Sequence, residues 1–349
     1  MPKIRISNLP SGISEKQLKK SLSLLNRTRF FKSAEQITLS YLGGITNHGL
    51  KDNTRNLFIR VPGRDSGHLI DRRAEADTIT KLVSHSLYPG GGEVYSEGEM
   101  SGYKVEPFIE GETLQFDTFH MHQQQVLPVL KQLHDSNIEF NNEFNIFTRL
   151  NLMSDTLQVN GIQAVPCFAD GHLSSIALDK IKVHIEELHR KMSQLFCKQI
   201  ALSPCHNDIT PTNFIKLASP VAGRNYQIID WEYAGMNDRM YDLAILAAMS
   251  ELTFEQQTAF ALSYFNSQDE ELYAEEIKRL QFYTPLVKLY YGLWSALQIA
   301  MCNESTSINE LREGWGPQSI SVFLEQYHSD EYQAIINGEY VNCLMSRRP

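Results

Sequence analysis

Two short polar segments constrain the fold of this chain more than any other feature. The first is residues 205–213, with the sequence CHNDITPTN, and the second is residues 228–233, with the sequence IIDWEY. Pro211 and its flanking threonines predict a tight loop in the first segment. The apolar run at 226–229, which follows turn-forming residues at 223–225, predicts a strand that ends in the second segment. The chain is therefore expected to form a hairpin that brings the loop and the strand end together.

The carboxylate and amide side chains of these segments are the residue types that phosphoryl transfer requires. That reaction needs a carboxylate to orient and deprotonate the attacking hydroxyl group, and oxygen ligands to hold magnesium on a triphosphate. Asp208, Asn213 and Asp230 suit those tasks. A single aspartate in a loop is more often a turn former or a helix cap, and short motifs also occur by chance. The pair of segments favours a catalytic site, because the residues after the strand have no evident capping role.

Length, composition and charge indicate a globular protein with two lobes. A chain of 349 residues is longer than the chains that usually fold around a single hydrophobic core. Its hydrophobic fraction of 42% and charged fraction of 21% disfavour disordered and fibrous classes. The net charge of -9 argues against a nucleic-acid partner, because clustered lysine and arginine hold phosphate backbones. The basic residues within 16–20 are expected to form the solvated face of an amphipathic helix.

Neither a membrane nor an oxidising compartment is indicated by the sequence. The first residues lack the long apolar core of a secretory signal, and no stretch approaches the roughly 20 apolar residues that span a bilayer. The five cysteines are odd in number and scattered, which argues against a disulfide framework or a zinc knuckle. Cys205 is expected to be a small buried residue ahead of the loop. We therefore expect a cytoplasmic protein.

The pattern of apolar residues changes along the chain and predicts an α+β fold of two lobes. Residues 1–38 predict a helical extension with Ser14 as an N-cap, residues 39–111 a small antiparallel-sheet lobe, and residues 112–349 a larger, mainly helical lobe. The predicted strands lie at 38–42, 56–61, 94–96 and 102–105, and residues 107–109 are predicted to form a connector. The predicted helices lie at 15–25, 71–85, 119–134, 176–196, 254–265, 270–280 and 286–301. A nucleotide could bind in the cleft between the lobes.

A glycine-rich turn and a potential ion pair mark the small lobe. Residues 43–47, with the sequence GGITN, could let backbone amides approach a phosphate, although an ordinary hairpin turn is the commoner role. The chain has neither a Walker A sequence nor a GxGxxG fingerprint. Arg60 on a predicted strand and Glu75 on the next predicted helix could form the ion pair that orients nucleotide phosphates in kinases. Spacing alone leaves open that they are unrelated surface residues.

Taken in order, these segments resemble the choline/ethanolamine kinase family, within the group of protein-kinase-like folds and aminoglycoside phosphotransferases. The likeness is greatest to the LicA-type bacterial choline kinases. An arginine at position 60, where protein kinases have lysine, is itself similar to this family. The matching segments are residues 43–47, 58–63, 71–75, 109–111, 133–134, 205–213 and 229–235. The resemblance implies a two-lobed protein-kinase-like fold.

The resemblance also implies ATP-dependent transfer of the γ-phosphate to a small amino alcohol, with magnesium as the metal. Asp208 would match the base, and Asn213 and Asp230 would match the magnesium ligands. A hinge near 106–111 would meet the adenine. The residues that would bind the nucleotide are Thr46, Asn47, Arg60, Glu75, Phe108 and Ile109.

Choline is the acceptor that the resemblance favours. Its quaternary ammonium group donates no ordinary hydrogen bond and is best held by aromatic faces and nearby carboxylates. Core packing is the alternative role for the aromatic residues of the 286–301 helix, and many eukaryotic members have tryptophan at the position of Tyr291. The candidate substrate-binding residues are Glu232, Tyr233, Tyr291 and Trp294.

Other functions remain open at the level of the sequence. Ethanolamine, thiamine or an aminoglycoside could be the acceptor, and a primary ammonium group would need hydrogen-bond acceptors more than rings. A catalytically inactive kinase-like scaffold is disfavoured, because Asp208, Asn213 and Asp230 are all present. A regulatory domain that recruits partners through residues 1–38 has only that amphipathic segment in its favour. The sequence predicts neither a nucleic-acid nor a membrane partner, and it leaves the oligomeric state undetermined.

Overall fold

The chain folds into a sheet-rich amino-terminal part and a mainly helical carboxyl-terminal part, built around two apolar clusters. This arrangement confirms the predicted two-lobed α+β fold. The computed structural model describes residues 3–10, 13–32, 35–44, 46–63, 70–89, 92–196, 200–221, 223–301 and 314–339.

The small lobe, which we take as the residues through strand β6, is a six-stranded sheet in the order β1-β2-β3-β4-β6-β5. Strand β1 pairs with β2 in parallel, and the other neighbours are antiparallel. Helix α2 begins after Asp71, whose side chain accepts hydrogen bonds from the amides of Arg73 and Ala74. The elements are β1 Lys3–Ser7, α1 Glu15–Leu22, β2 Gln36–Gly43, β3 Asn47–Asp52, β4 Leu57–Pro62, α2 Arg72–Ser84, β5 Glu93–Val94 and β6 Lys104–Pro107.

Strand β4 shows how the pleat of this sheet directs side chains. Leu57, Ile59 and Val61 enter the apolar cluster on one face. Alternation sends the side chain of Arg60 to the opposite face, with that of Phe58. The strand therefore joins the core on one side and presents a cation on the other.

The first 38 residues differ from the predicted helical extension. Residues Lys3–Ser7 are a strand, and their alternation of charged and isoleucine residues is a period-two signal that the prediction overlooked. Ser14 does cap α1, since its hydroxyl accepts from the amide of Gln17 at 3.4 Å. Leu18 and Leu22 of this helix lie in the same apolar cluster as the sheet. The segment is thus part of the small-lobe core, while the predicted division near residue 111 stays a proposal.

The large lobe follows and is mainly helical. Its longest helix, α8, has 28 residues and is buried along most of its length. Among the described residues, no helix combines the length and apolarity that crossing a membrane would require. The elements are β7 Gly111–Thr113, α3 Gln123–His134, α4 Ile146–Val159, β8 Ala164–Ala169, β9 His172–Ala177, α5 Leu178–Leu195, β10 Ser203–Cys205, β11 Phe214–Val221, β12 Arg224–Ile228, β13 Gly235–Asn237, α6 Arg239–Met249, α7 Phe254–Phe265, α8 Ala274–Met301, α9 Gly316–Tyr327 and α10 Asp330–Ile336.

Several helix boundaries differ from the predictions. The helices predicted at 270–280 and 286–301 are one helix, α8, which continues through Pro285. Proline removes a backbone donor and usually ends a helix, but tertiary packing around this buried stretch holds it together. The helix predicted from residue 176 begins at Leu178, because β9 pairs with β8 up to Ala177. Helix α6 escaped prediction because it is buried at almost every position and lacks a polar face.

Candidate active site

The loop after β10 is held by a single buried carboxylate. The two oxygens of Asp242, on α6, accept hydrogen bonds from the backbone amides of His206 at 2.8 Å and Asn207 at 2.7 Å. The ring nitrogen Nε2 of His134 is hydrogen-bonded to the same carboxylate at 3.0 Å. Buried backbone amides require partners, and here the partner comes from a distant helix. Asp242 therefore fixes the path of the chain just before Asp208.

A second set of bonds joins this loop to the segment that follows β12. The backbone of Asn207 is left-handed, with φ of 63°. Its side chain donates to the carbonyl groups of Tyr233 at 3.1 Å and Gly235 at 3.2 Å. The ring of His206 donates from Nε2 to the carbonyl of Ile229 at 2.8 Å. The two polar segments that the sequence singled out are thus bonded to one another along their length.

The β11–β12 hairpin brings the candidate metal ligands to the same place. The amide of Ile229 donates to the carbonyl of Asn213 at 2.9 Å, where the hairpin meets the loop. Asp230 follows at once, in a left-handed conformation with φ of 66° and ψ of 62°. A left-handed aspartate outside a turn is uncommon and typical of functional sites. The structure therefore places Asp208, Asn213 and Asp230 together, as the sequence predicted.

The oxygen atoms of this group fit a magnesium ion. Asn213 donates from Nδ2 to the carbonyl of Asp208 at 2.7 Å, which leaves its Oδ1 to act as a ligand. Burial raises the pKa of Asp208 well above its ordinary value, and the charges of Asp230 and Glu232 raise it further. Carboxylate and amide oxygens are the ligands that magnesium prefers, and a cation would relieve this repulsion.

Arg60 and Glu75 form the buried ion pair that the spacing left undecided. The guanidinium donates to both carboxylate oxygens, at 2.6 and 2.7 Å, and each side chain is almost fully buried. Burial alone would raise the pKa of Glu75, but the charge of Arg60 and its hydrogen bonds lower it to about 2. The pair is therefore charged, and it fixes the arginine on the cleft face of the sheet.

A second arginine, which the sequence reasoning missed, completes this cluster. Arg72 lies at the start of α2 and donates from Nη1 to Glu75 at 2.9 Å and to Glu232 at 3.0 Å. Arg60 and Asn47 also donate to Glu232, at 3.3 and 3.1 Å. Burial and the nearby charge of Asp230 raise the pKa of Glu232 to about 7. Glu232, predicted for the substrate, is thus bonded to the residues predicted for the nucleotide.

The remaining nucleotide candidates lie in the glycine-rich turn and the hinge. Gly44 has φ of 127°, and a Cβ there would come within 1.9 Å of the carbonyl oxygen of Asn47. Thr46 is linked to Asn47 by a side-chain hydrogen bond of 3.3 Å. Phe108 and Ile109 are half-buried in the connection from β6 to β7. A connector had been predicted at 107–109, and β6 ends at Pro107.

A group of aromatic side chains reaches Asp208 through Tyr291. The hydroxyl of Tyr291 donates to Oδ1 of Asp208 at 2.6 Å. The ring of Trp315 lies 5.5 Å from that of Tyr291 and 6.2 Å from that of Trp294, between centroids. Burial raises the pKa of Tyr233 well above its ordinary value, and Trp294 beside it partly offsets that rise. We refer to Tyr233, Tyr291, Trp294 and Trp315 as the aromatic group.

Trp315 was not predicted as a site residue. It lies far along the chain from the two polar segments, just before α9, and it remains 36% exposed. The backbone at Trp315 is already helical, with φ of -63° and ψ of -41°. A tryptophan between two glycines, Gly314 and Gly316, is the one local signal that could have pointed to it.

A sequence model described as choline/ethanolamine kinase matches residues 38–313. The chain belongs to the choline/ethanolamine kinase family. Among its relatives, LicA from Haemophilus influenzae is 24% identical over 280 residues, which cover 77% of this chain and 75% of LicA. A solved ethanolamine kinase from Plasmodium vivax has a TM-score of 0.68 at 20% identity, covering 92% of this chain and 93% of that one. A solved LicA in complex with AMP has a TM-score of 0.62 at 20% identity, with coverage of 94% and 99%.

Membership of this family makes the protein a small-molecule kinase with a protein-kinase-like fold. Choline/ethanolamine kinases need a site for a phosphate donor and a site for an amino alcohol on either side of the transferred group. The arginine cluster is bonded to Glu232, two residues beyond Asp230, and Tyr291 of the aromatic group is bonded to Asp208. The site therefore contains one cationic region and one aromatic region.

Proposed function

We propose that the protein is a choline kinase, which transfers the γ-phosphate of ATP to the hydroxyl group of choline with magnesium on the triphosphate. The observation that carries this proposal is the hydrogen bond from Tyr291 to Asp208 at 2.6 Å. Through it, one residue of the aromatic group borders the candidate base. A small acceptor with its cation against the rings would have its hydroxyl group near the carboxylate.

The chemistry of the acceptor side favours a quaternary over a primary ammonium group. A primary ammonium group needs hydrogen-bond acceptors, whereas a trimethylammonium group gains about 0.5–2 kcal/mol from each well-placed ring. The carboxylate of Glu232 is engaged by two arginines and an asparagine. The described aromatic group supplies ring faces instead, which supports choline over ethanolamine.

The proposed reaction is a direct transfer without a phosphoenzyme. The hydroxyl oxygen of choline forms a bond to the γ-phosphorus while the bond from that phosphorus to the ADP oxygen breaks, and the hydroxyl proton passes to Asp208. Burial raises the pKa of Asp208, which makes its carboxylate a stronger base. Asn213 and Asp230 would hold magnesium, which supplies charge neutralisation on the phosphates.

The nucleotide assignment draws support from the small-lobe contacts. Arginine fits phosphate oxygens well because its donors form a fixed fork, and Arg60 is oriented by Glu75 on the cleft face of the sheet. The absence of a side chain at Gly44 leaves room for the carbonyl oxygen of Asn47, which would lie 1.9 Å from a Cβ there. The solved relative LicA binds AMP, which agrees with an adenine nucleotide.

A substrate panel tests this function directly. The purified protein would be assayed for ADP formation with ATP, magnesium and one of choline, ethanolamine or thiamine. We expect a kcat/KM for choline at least about tenfold above that for ethanolamine, since tenfold corresponds to about 1.4 kcal/mol, less than one good ring contact can supply. A preference for ethanolamine or thiamine would contradict the choline assignment, and no turnover with any acceptor would contradict the kinase activity itself.

Two variants separate the base from the rings. Asp208→Asn should lower kcat by at least about a hundredfold while ATP still binds, because only the proton acceptor is lost. Trp315→Leu should raise the KM for choline more than that for ethanolamine, because the ring contact serves the methylated cation. Leu173→Ala, at an exposed position in β9, is a matched control for removal of a large surface side chain. Normal turnover in Asp208→Asn would contradict its role as base.

A further inference from the structure

Three side-chain donors from the small lobe converge on a single oxygen atom. Oε2 of Glu232 accepts hydrogen bonds from Asn47 Nδ2 at 3.1 Å, from Arg60 Nη1 at 3.3 Å and from Arg72 Nη1 at 3.0 Å. The donors come from β3, β4 and α2, whereas Glu232 follows Asp230 in the large lobe. We call these three residues the donor triad. One carboxylate oxygen therefore ties three small-lobe elements to the catalytic segment.

The donor triad has the chemistry of a phosphate site. Guanidinium groups bind carboxylate and phosphate oxygens with the same geometry, and each such bond is strengthened by charge. Arg60 is already satisfied by both oxygens of Glu75, so its contact with Glu232 is additional. The single oxygen of Glu232 thus stands where an oxygen of a nucleotide phosphate could accept from the same donors.

The charge balance of the cluster gives this contact a consequence. Arg60 and Arg72 carry two positive charges, and Glu75 and Glu232 carry two negative charges when ionised, all in buried positions. The cluster is then neutral and has little attraction for a further anion. Without the charge of Glu232, one positive charge would face the cleft. An incoming phosphate must therefore take the place of the carboxylate at one or more donors.

We propose that Glu232 is a built-in competitor for the phosphate groups of the nucleotide, and that Arg72 is a further phosphate-binding residue. The carboxylate holds the donor triad until a polyphosphate displaces it, and Asn47 changes its hydrogen-bond partner in the same event. The proposal rests on the proposed function only in taking an adenine nucleotide as the donor. It does not depend on the identity of the acceptor.

The opposite role for Glu232 predicts an effect of opposite sign. If its carboxylate served only to orient the arginines, its loss would misplace them and weaken nucleotide binding. If it competes with phosphate, loss of its charge strengthens the binding of phosphate-bearing ligands. Adenosine, which has the base and sugar but no phosphate, should respond to neither change.

The experiment measures binding of ATP with magnesium, and of adenosine, to the full chain by calorimetric titration without an acceptor. Glu232→Gln keeps the side-chain shape and removes its charge, and we expect its Kd for ATP to fall at least about tenfold with the Kd for adenosine unchanged. Arg72→Gln should raise the Kd for ATP at least about tenfold, again with adenosine unchanged. Arg73→Gln is the matched control, since Arg73 is exposed on the same helix and pairs with Glu97 on the surface.

Each outcome decides the proposal. Weaker or unchanged ATP binding in Glu232→Gln would overturn the competing role, and an equal change for adenosine would show a general distortion instead. If Glu232→Gln fails to fold, Arg72→Gln decides, because ATP affinity equal to that of Arg73→Gln would overturn the phosphate-binding role of Arg72. Absence of ATP binding in the wild-type protein would overturn the donor assignment as well, whereas a different preferred acceptor would leave these binding results untouched.

Discussion

The replacement Asp242→Asn probes how the catalytic loop is held without touching any group proposed to meet a substrate. In the wild-type protein, the two carboxylate oxygens accept from the amides of His206 and Asn207, and His134 is bonded to one of them. Asparagine offers one acceptor oxygen, and its amide group would face a backbone N–H that also donates. At least one buried amide then loses its partner.

The magnitude follows from these bonds. A hydrogen bond to a charged group contributes about 1.5–3 kcal/mol, and a buried donor left unpaired costs about 1–3 kcal/mol. Loss of one such bond, with its amide unpaired and the other bonds weakened, should lower the free energy of unfolding by about 3–5 kcal/mol. Asp242 is fully buried, so water cannot replace the missing acceptor without rearrangement. The displaced loop should also lower kcat by about a hundredfold, since errors near 1 Å in placement have that effect.

Urea denaturation followed by circular dichroism measures the stability, and the ADP-forming assay measures kcat. Asp155→Asn is the matched control, because Asp155 is exposed and pairs with Lys182 on the surface. Its effect should stay within about 0.5 kcal/mol. A loss of less than about 1 kcal/mol in Asp242→Asn, well below the range from its hydrogen bonds, would refute the reasoning. Unchanged kcat with the expected loss of stability would show that the hydrogen bonds of Asp242 stabilise the fold without positioning the catalytic loop.

Three further predictions concern single features of the site. Tyr291→Phe keeps the ring and removes the hydrogen bond to Asp208, so kcat should fall about tenfold while the KM for choline stays within about twofold. Tyr291→Leu also removes the ring and should raise that KM about tenfold. Equal kinetics in the two variants would contradict separate roles for the ring and the hydroxyl group. The pKa of Glu75 is lowered from 4.5 to about 2, so its stabilising contribution is present above pH 4.5 and is lost as the pH falls towards 2. In urea denaturation, the free energy of unfolding should therefore fall less with acid in Glu75→Gln than in the wild type, by up to about 3 kcal/mol. Parallel pH dependences in the two proteins would contradict the charged pair. Gly44→Ala forces a side chain into a left-handed position beside the carbonyl of Asn47 and should raise the KM for ATP about tenfold. Gly314→Ala is the control, because the space around its Cβ is open, and its KM for ATP should stay unchanged.

Much of the reaction site could be predicted because its signals are local. Pro211 and the turn before β12 fix a loop and a hairpin within a short stretch of chain. These two local structures hold Asp208, Asn213 and Asp230 close to one another. The sequence also supplied the correct fold class, because strand-like runs are separated from helical runs along the chain. The family match of residues 38–313 confirms the resemblance that those residues suggested.

Adjacent residues in the second segment have different surroundings, which the local sequence does not predict. Glu232 and Tyr233 were both predicted for the substrate, but the first contacts Arg60 and Arg72 and the second contacts Trp294. Residues 231–233 form a 3-10 turn, in which neighbouring side chains point about 120° apart. A pattern of residue types cannot give that direction, because it depends on how the turn sits against α2 and α8.

The sequence by itself determined which chemical groups this protein has for phosphoryl transfer, and it placed them on a loop and a hairpin through turn and strand signals that act over a few residues. Only the tertiary structure decided what surrounds them. Asp242, Arg72 and Trp315 come from helices or turns far along the chain, and their roles arise where those elements pack. Buried charges and backbone amides must find partners wherever the fold brings them, and that pairing turned Glu232 away from the aromatic group and towards the arginines.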